Sequence, residues 1–210
     1  KKSEYNKALE QYQKVLEIWL KQLGPEHPIV AKIYNHIGEV HRKKGEFDKA
    51  LIHFQKCNTI RLKQLGPNHP DVADIYNNIG WVHLHKSEHD KALENFQEAL
   101  KIQLKVLGPE HRKVARCYNG IGLVHHAKGE NDKALEHFQK ALAILLEIPP
   151  LEDPFEAGIY FNMAKIYKAK KDSARTKEYL EKAYAIFSKT LGPNHPDTKD
   201  AKAQLDALKE

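Results

Sequence analysis

Apolar residues recur at the spacing of an α-helix along most of the chain. In residues 29–43 they fall on one side of a helix, three to four residues apart. Those positions are Val30, Ile33, Tyr34, Ile37 and Val40. Residues 47–65 repeat the pattern, with apolar positions at Ala50, Leu51, Phe54, Cys57, Ile60 and Leu62. Each segment therefore predicts one amphipathic helix.

Glycine and proline mark where these two helices end. Gly45 follows Lys43 and Lys44, and a glycine after basic residues is typical of a helix C-terminus. Gly66 and Pro67 end the second segment, because proline cannot continue the helical hydrogen bonds and restricts the residue before it. The short break between the segments predicts that the two helices pack antiparallel as a pair.

The pair recurs with a fixed period. The tripeptide Leu-Gly-Pro occurs at residues 23–25, 65–67, 107–109 and 191–193, on a grid of 42 residues. A period of this size is typical of stacked repeats, in which each unit buries its apolar face against the next. The sequence therefore predicts an all-α fold, an α-solenoid of antiparallel helix pairs. At the remaining grid point Pro149-Pro150 replaces the tripeptide, so this loop has the same length as the others but a different sequence.

The grid arranges the chain as a single array of repeats. Residues 3–23 have only the pattern of a second helix and are predicted to belong to a truncated repeat. Complete pairs are predicted at residues 29–65, 71–107, 113–147 and 155–191. Residues 197–209 are predicted to form one last amphipathic helix that caps the exposed apolar end of the array.

Small residues recur where the two helices of a pair are expected to cross. In the second helix they are Ala8, Ala50, Ala92 and Ala134, and in the first helix Gly38, Gly80 and Gly122. The large residues expected to fill the space beside them are Phe54, Phe96 and Phe138. The sequence therefore predicts that each pair is held together by one aromatic ring against a small residue.

The spacing of these positions resembles the tetratricopeptide repeat. The matching positions are Tyr34, Ile37, Gly38 and His41, followed by Ala50 and Phe54. The longer period, the link Leu-Gly-Pro-x-His-Pro-x-Val-Ala and the pair Asn77-Asn78 resemble the kinesin light chain type of this repeat. The resemblance spans nearly the whole chain. It implies a concave face, lined by the first helix of each pair, that binds peptides.

Composition fits long solvated helices. Hydrophobic residues make up 41% of the chain and charged residues 30%, and no apolar run is long enough to cross a membrane. The start, at residues 1–5, has no apolar signal region and falls inside a repeat, so we expect a fragment of a longer protein. With only Cys57 and Cys117, a reducing cytoplasmic setting is expected. The net charge of +6 permits an acidic partner without indicating nucleic acid.

The first helix of each pair is predicted to turn one sector toward the groove. The first pair contributes Lys32, Asn35, Arg42 and Lys43. The second contributes Asn77, Asn78, Trp81 and Leu84. The third contributes Arg116, Asn119 and Leu123, and the fourth Lys165 and Lys168. These residues are the candidate peptide-binding site.

Asparagine occupies the same groove position in three pairs, at Asn35, Asn77 and Asn119. An amide offers both a donor and an acceptor, so a column of amides can hold an extended peptide backbone without requiring one sequence. In tetratricopeptide domains such asparagines clamp a bound peptide, which is what the resemblance implies here. The alternative is that the asparagines cap helices or connect neighbouring repeats.

The remaining groove positions indicate what the peptide carries. Basic residues in the sector outnumber the acidic Glu39 and Asp74 by six to two, which favours an acidic ligand whose charge mainly speeds association. Trp81, Leu84 and Leu123 could bury an apolar anchor. The alternatives are a solvated helix face and packing of the tryptophan within the array. The kinesin light chain resemblance implies tryptophan-acidic cargo peptides as ligands.

The fourth pair departs from the pattern. Phe161 replaces the groove asparagine, Ala164 replaces the packing glycine and Lys171 replaces the turn glycine. The asparagine clamp is therefore not expected to extend unchanged into this pair. It is interpreted either as a divergent capping repeat or as a second contact surface.

No motif for catalysis or cofactor binding is found. The sequence lacks a glycine-rich phosphate loop, a nucleophile elbow and a zinc-protease motif. Most of the 13 histidines follow the repeat grid, which favours structural roles over metal binding. His83, His85 and His89 do cluster, and His85 also lies on the groove sector. We therefore expect no enzyme activity, no cofactor and no metal.

The leading interpretation is a non-catalytic protein–protein interaction module. It would bind a short acidic peptide with an apolar anchor in its groove, as a cargo adaptor or scaffold. The rival is a sensor or autoinhibitory repeat segment beside a signalling NTPase or protease domain. Self-association through the truncated first helix is a third possibility, and the oligomeric state stays open. Nucleic-acid binding is disfavoured because the basic residues are not interleaved with stacking aromatics, and no membrane insertion is expected.

Overall fold

A computed structural model describes residues 2–148 and 153–208 of the chain. Within these ranges every regular element is an α-helix. The helices are α1 (Lys2–Leu23), α2 (Pro28–Lys43), α3 (Phe47–Leu65), α4 (Pro70–His85), α5 (His89–Leu107), α6 (Arg112–Ala127), α7 (Asn131–Leu146), α8 (Pro154–Ala169), α9 (Ser173–Thr190) and α10 (Pro196–Asp206). The predicted all-α fold is confirmed. Pro149-Pro150 and residue 209 of the predicted last helix lie outside the described residues.

The helices form two compact units, Lys1–Gly108 and Pro109–Glu210. In the first unit α2 packs against α3 and α4 against α5, while α1 packs on α2 and α3 on α4. In the second unit α6 packs against α7 and α8 against α9, while α7 packs on α8 and α10 on α9. Each unit is therefore a stack of helix pairs with one additional helix.

The first three pairs are each held by a close approach between a glycine and a phenylalanine ring. A Cβ atom placed on Gly38 would lie 2.8 Å from the ring of Phe54, and one placed on Gly80 would lie 2.9 Å from Phe96. The third pair repeats this contact between Gly122 and Phe138, at 2.7 Å. Real Cβ atoms do not approach other atoms so closely, and the three rings are completely buried. The predicted crossing of ring and glycine is confirmed.

The fourth pair solves the same packing problem with a different combination of sizes. Ala164 occupies the glycine position and Leu180 the phenylalanine position, and both are buried. The additional methyl group on α8 is thus accommodated by a smaller side chain on α9. Volume-conserving exchanges of this kind are the ones that protein cores tolerate best.

The histidines of the repeated loops cap the first helix of three pairs and the last helix, α10. Before α2, α4, α6 and α10 the Nδ1 atom of the histidine accepts a hydrogen bond from the backbone N–H two residues on. These four bonds, made by His27, His69, His111 and His195, measure 3.2, 3.1, 3.1 and 3.3 Å. A side-chain acceptor at this position satisfies one of the unpaired N–H groups at a helix start.

Asp153 takes the place of the histidine before α8. Its Oδ1 accepts from the backbone N–H of Phe155 at 2.7 Å, and Pro154 follows as the first helical residue. The loop that lost the Leu-Gly-Pro tripeptide therefore keeps the helix cap and the proline. Aspartate and histidine are interchangeable here because each presents an acceptor two residues before the N–H group.

A second set of grid histidines holds the turn inside the first three pairs. The Nδ1 atom of His41 lies 2.6 Å from Oε2 of Glu46, and His83 and Glu88 repeat the contact at 2.8 Å. His125 and Glu130 form the third copy, also at 2.8 Å. Hydrogen bonds with neighbouring lysines and with these histidines lower the pKa of Glu46 and of Glu88 to about 2. These grid histidines therefore have structural partners.

We predict that Gly80→Ala destabilises the chain by about 1–3 kcal/mol, because the new methyl group would have to displace the buried ring of Phe96. Gly158→Ala is the matched control. Gly158 is also helical but has no atom within 4 Å of the added methyl group, so alanine there should raise the free energy of unfolding by up to about 1 kcal/mol. Urea denaturation of the two variants measures both values. Equal effects would show that the ring does not control the crossing.

Candidate functional site

In the first unit the predicted groove positions lie on α2 and α4, which contact each other. Lys32 and Lys43 are exposed near the two ends of α2, and Arg42 is half-buried beside Lys43. Asn35 is half-buried in the middle of the helix. The cations predicted for this part of the groove are thus accessible, while the amide is partly enclosed.

Asn35 connects two neighbouring first helices. Its Oδ1 accepts from Nδ2 of Asn78 at 3.2 Å, and its own Nδ2 donates to Glu39 at 3.3 Å. Both ends of the amide are therefore engaged within the protein. For Asn35 and Asn78 the structure matches the alternative interpretation, in which asparagine joins neighbouring repeats.

Asn77 and Asn119 are in a different situation. Their exposed fractions are only 8% and 5%, so they are buried and not solvent-facing as the helical sector suggested. The Oδ1 atom of each has no hydrogen-bond partner among the described residues. A buried polar atom without a partner costs about 1–3 kcal/mol. These two amides therefore keep an unused hydrogen-bonding group at equivalent places in two repeats.

Trp81 is half-buried, because its ring packs edge-on against Phe96 of the same pair. The ring centroids are 5.5 Å apart and the planes meet at 80°. Leu84, one turn away, is also half-buried. The tryptophan thus contributes to packing within the first unit, as the alternative interpretation held, and still leaves part of its surface exposed.

A stacked pair of rings beside Trp81 was not predicted from the sequence. The imidazole of His85 stacks on Phe47 with centroids 5.4 Å apart and planes at 6°. Partial burial, and to a smaller extent the charge of Arg42, lower the pKa of His85. Phe47 lies on α3, a second helix, and the sequence pattern assigns only first helices to the groove. The sequence signal that pointed to His85 was its four-residue spacing from Trp81, which places both side chains on the same side of α4.

In the second unit the predicted groove positions lie on α6 and α8. Arg116 is exposed on α6, and Leu123 is half-buried against the core of this unit. Lys165 and Lys168 are exposed on α8. The two first helices of this unit therefore present four side chains of the candidate set to solvent, at least in part: Arg116, Leu123, Lys165 and Lys168.

Phe161 shows why the asparagine pattern stops at α8. Its ring is buried and packs edge-on against Phe187, at 6.5 Å between centroids. The ammonium group of Lys165 lies over this ring, 4.4 Å from its centroid. Cations held over aromatic faces in this way are attracted by the ring electrons. At this position the fourth pair therefore offers an ordered cation in place of an amide.

The described ranges contain no group of three His, Cys, Asp or Glu side chains placed to hold a metal ion. Cys57 and Cys117 are buried free thiols. Burial raises the pKa of Cys57 to about 11, which keeps this thiol protonated near neutral pH. Among the described helices, none is sufficiently long and apolar to cross a lipid bilayer.

We predict that the Asn35–Asn78 hydrogen bond appears as a coupling energy of about 0.5–1.5 kcal/mol in a double-mutant cycle of alanine variants, measured by denaturation. Asn35 and Asn95 form the control cycle. Nδ2 of Asn95 donates to the carbonyl of Lys91 in its own helix, so the effects of those two substitutions should add. Additivity in the Asn35–Asn78 cycle would contradict the connecting role.

Comparisons with known proteins agree with this architecture. The sequence matches the tetratricopeptide repeat at residues 1–63, 30–105 and 82–147, and a second form of that repeat at residues 157–197. No match was found among curated protein sequences.

Several solved structures are similar to the chain. BtubC (BKLC) from P. vanneervenii has 23% sequence identity and a TM-score of 0.76, over 93% of this chain and 77% of that one. A kinesin light chain-like protein of Podosopora anserina with nearly identical TPR-like repeats has 21% identity and a TM-score of 0.69, over 87% and 86%. MamA has 20% identity and a TM-score of 0.59, over 90% and 92%. These likenesses confirm the predicted solenoid fold.

The matched repeats account for most of the chain. Tetratricopeptide repeats generally serve as non-catalytic modules for protein–protein interaction. The chain belongs to the tetratricopeptide repeat family.

Proposed function

We propose that this chain binds a short acidic peptide with an apolar anchor on the first helices of its repeats. The observation that carries the proposal recurs in each unit, as a buried amide, Asn77 in the first and Asn119 in the second, whose oxygen atom has no hydrogen-bond partner within the described ranges. A half-turn of such an amide exchanges its oxygen and nitrogen, so either group can meet a peptide backbone. A ligand that completes these hydrogen bonds would recover the cost of leaving them unmade.

Positive charge on the groove helices supports an acidic ligand. No described acidic side chain pairs with Lys32 or Lys43 on α2, with Arg116 on α6, or with Lys168 on α8. Unpaired exposed cations raise the rate at which an acidic segment meets the groove, and this attraction weakens with salt.

The partly exposed surface of Trp81 and Leu84 supports an apolar anchor. Trp81 is already fixed against Phe96, so little side-chain entropy remains to be lost when a ligand packs on it. Rigid aromatic residues of this kind are frequent among the residues that dominate binding energy. We propose that an adaptor or scaffold in the cytoplasm uses this surface, as a cargo-binding repeat would.

We predict that a peptide array will select sequences with glutamates or aspartates around one large apolar residue. The double variant Asn77→Ala/Asn119→Ala should weaken binding of the selected peptides about tenfold or more, equivalent to about 1.4 kcal/mol. Trp81→Ala should weaken peptides with the apolar anchor and leave weak, purely acidic binders unchanged.

Lys140→Glu is the control for nonspecific attraction between the acidic peptides and a lysine outside the candidate groove. Lys140 lies on the second helix α7, where it pairs with Glu136, and its reversal should not affect a ligand bound by first helices. Selection of no acidic peptide, or equal binding by the asparagine variants and the wild type, would overturn the proposed function.

A further inference from the structure

Three rings in contact join the two helices of the first pair. The imidazole of His53, on α3, contacts Tyr34 and His41 of α2, with ring centroids 5.8 and 5.4 Å away. The planes of the two imidazoles differ by only 13°, so these rings are stacked. His53 is half-buried, and its Nδ1 atom has no hydrogen-bond partner among the described residues. Two groups that can each take up a proton therefore lie in contact between α2 and α3.

The third pair contains the same arrangement. His137, on α7, is half-buried and contacts Tyr118 and His125 of α6, with ring centroids 6.1 and 5.2 Å away. Its Nδ1 atom donates to the backbone carbonyl of Lys133 at 2.8 Å. We call each set of three rings a histidine column, formed by Tyr34, His41 and His53 in the first pair and by Tyr118, His125 and His137 in the third.

The second and fourth pairs lack the histidine that the second helix contributes to a column. Asn95 stands at the position of His53 and His137 in the second pair, and its Nδ2 atom donates to the carbonyl of Lys91 at 2.8 Å. Asparagine thus makes the hydrogen bond that His137 makes, without a group that takes up a proton. In the fourth pair Tyr179 stands at this position, and a phenol is uncharged at neutral and acidic pH.

We propose that the histidine columns make the first and third pairs acid-sensitive, so that protonation of His53 and His137 opens the contact between the two helices of these pairs. The second pair, with Asn95, keeps its contact. The proton comes from the solvent and binds an imidazole nitrogen, and no other covalent bond changes. This inference goes beyond the proposed function, because it requires no ligand.

The column of the first pair is an unfavourable place for a second charge. Partial burial, His41 on α2 and Lys56 on α3 together lower the pKa of His53 to about 4. The ammonium group of Lys56 lies 5.3 Å from the ring centroid of Tyr34, next to the column. When His41 takes up a proton, Glu46 holds it there, because its Oε2 atom lies 2.6 Å from Nδ1. Among the described residues, α4, which also packs on α3, adds no charge at His53.

The column of the third pair has the same balance. Burial lowers the pKa of His137, and the hydrogen bond with the carbonyl of Lys133 opposes this effect. The charges of His125 and Lys140 lower this pKa further, while Glu136 raises it and pairs with Lys140 at 2.6 Å. Within the described part of the chain, α8, which also packs on α7, adds no charge at this ring.

The lowered pKa values fix the direction of the pH dependence. In an opened pair the two imidazoles return to the ordinary pKa of about 6.5, which lies above their pKa in the closed pair. The opened pair therefore binds more protons than the closed pair. Opening becomes more favourable as the pH falls below about 6.5, until the pH passes the lowered pKa of the closed pair.

The second pair separates this effect from those of other acid-sensitive groups. Its first helix is capped by His69, and its turn contains the contact between His83 and Glu88, as in the first and third pairs. It differs at the column, where Asn95 replaces the histidine. An effect of acid on the caps or turns should therefore appear in all three pairs, and an effect of the columns only in the first and third.

The test is hydrogen–deuterium exchange of the whole chain, read by mass spectrometry at about pH 7 and about pH 5 and corrected for the intrinsic exchange rate at each pH. The quantity compared is the equilibrium constant for local opening of each pair. In the wild type, acid should raise this constant at least about threefold more in α2–α3 and α6–α7 than in α4–α5, equivalent to a pKa difference of about half a unit.

The variants copy the second pair. His53→Asn should abolish the additional rise in the first pair alone, and His137→Asn should abolish it in the third pair alone, so each variant is the control for the other. Because the comparison is between two pH values of one variant, a loss of stability common to both does not imitate the result. An equal rise in the second pair, no rise in the first and third pairs, or a rise that survives in the matching asparagine variant would overturn the inference.

Discussion

The close contact between a phenylalanine ring and a glycine is the constraint on which the rest of the structure depends. It sets how near the two helices of a pair can lie, because nothing larger than hydrogen fits opposite Phe54, Phe96 or Phe138. The fourth pair has the buried residues Ala164 and Leu180 at the two equivalent repeat positions, a combination of similar total volume. Once this distance is set, the packed side of each first helix is determined. The opposite side, with the candidate site, is determined with it.

The groove asparagines depend on the same contact through helix phase. Asn35, Asn77 and Asn119 each precede the packing glycine of their helix by three residues, so they lie next to the packed sector. This location explains why Asn77 and Asn119 are buried while Lys32 and Lys43 are exposed. A rigid crossing can hold an amide whose oxygen lacks a partner, and natural proteins keep such costs at functional sites.

The sequence predicted the features that depend on period and residue size, and missed those that depend on contacts between pairs. Helical spacing and the Leu-Gly-Pro grid predicted the helices, and small residues predicted the ring contacts. The Asn35–Asn78 hydrogen bond and the stack of Phe47 on His85 join side chains from different pairs, and no helical period encodes them. The helix cap at Asp153 was not predicted, because this loop was compared with the other loops by residue identity. The cap requires only a side-chain acceptor, which aspartate also provides.

The proposed peptide site depends above all on whether the amides of Asn77 and Asn119 meet the ligand. The most direct measurement is the NMR shift of asparagine side-chain NH₂ signals as an acidic peptide with an apolar anchor is added. We expect the signals of Asn77 and Asn119 to move, while those of Asn58 and Asn95 on second helices stay in place. Movement confined to Asn58 and Asn95, with Asn77 and Asn119 unchanged at saturation, would contradict the proposed site.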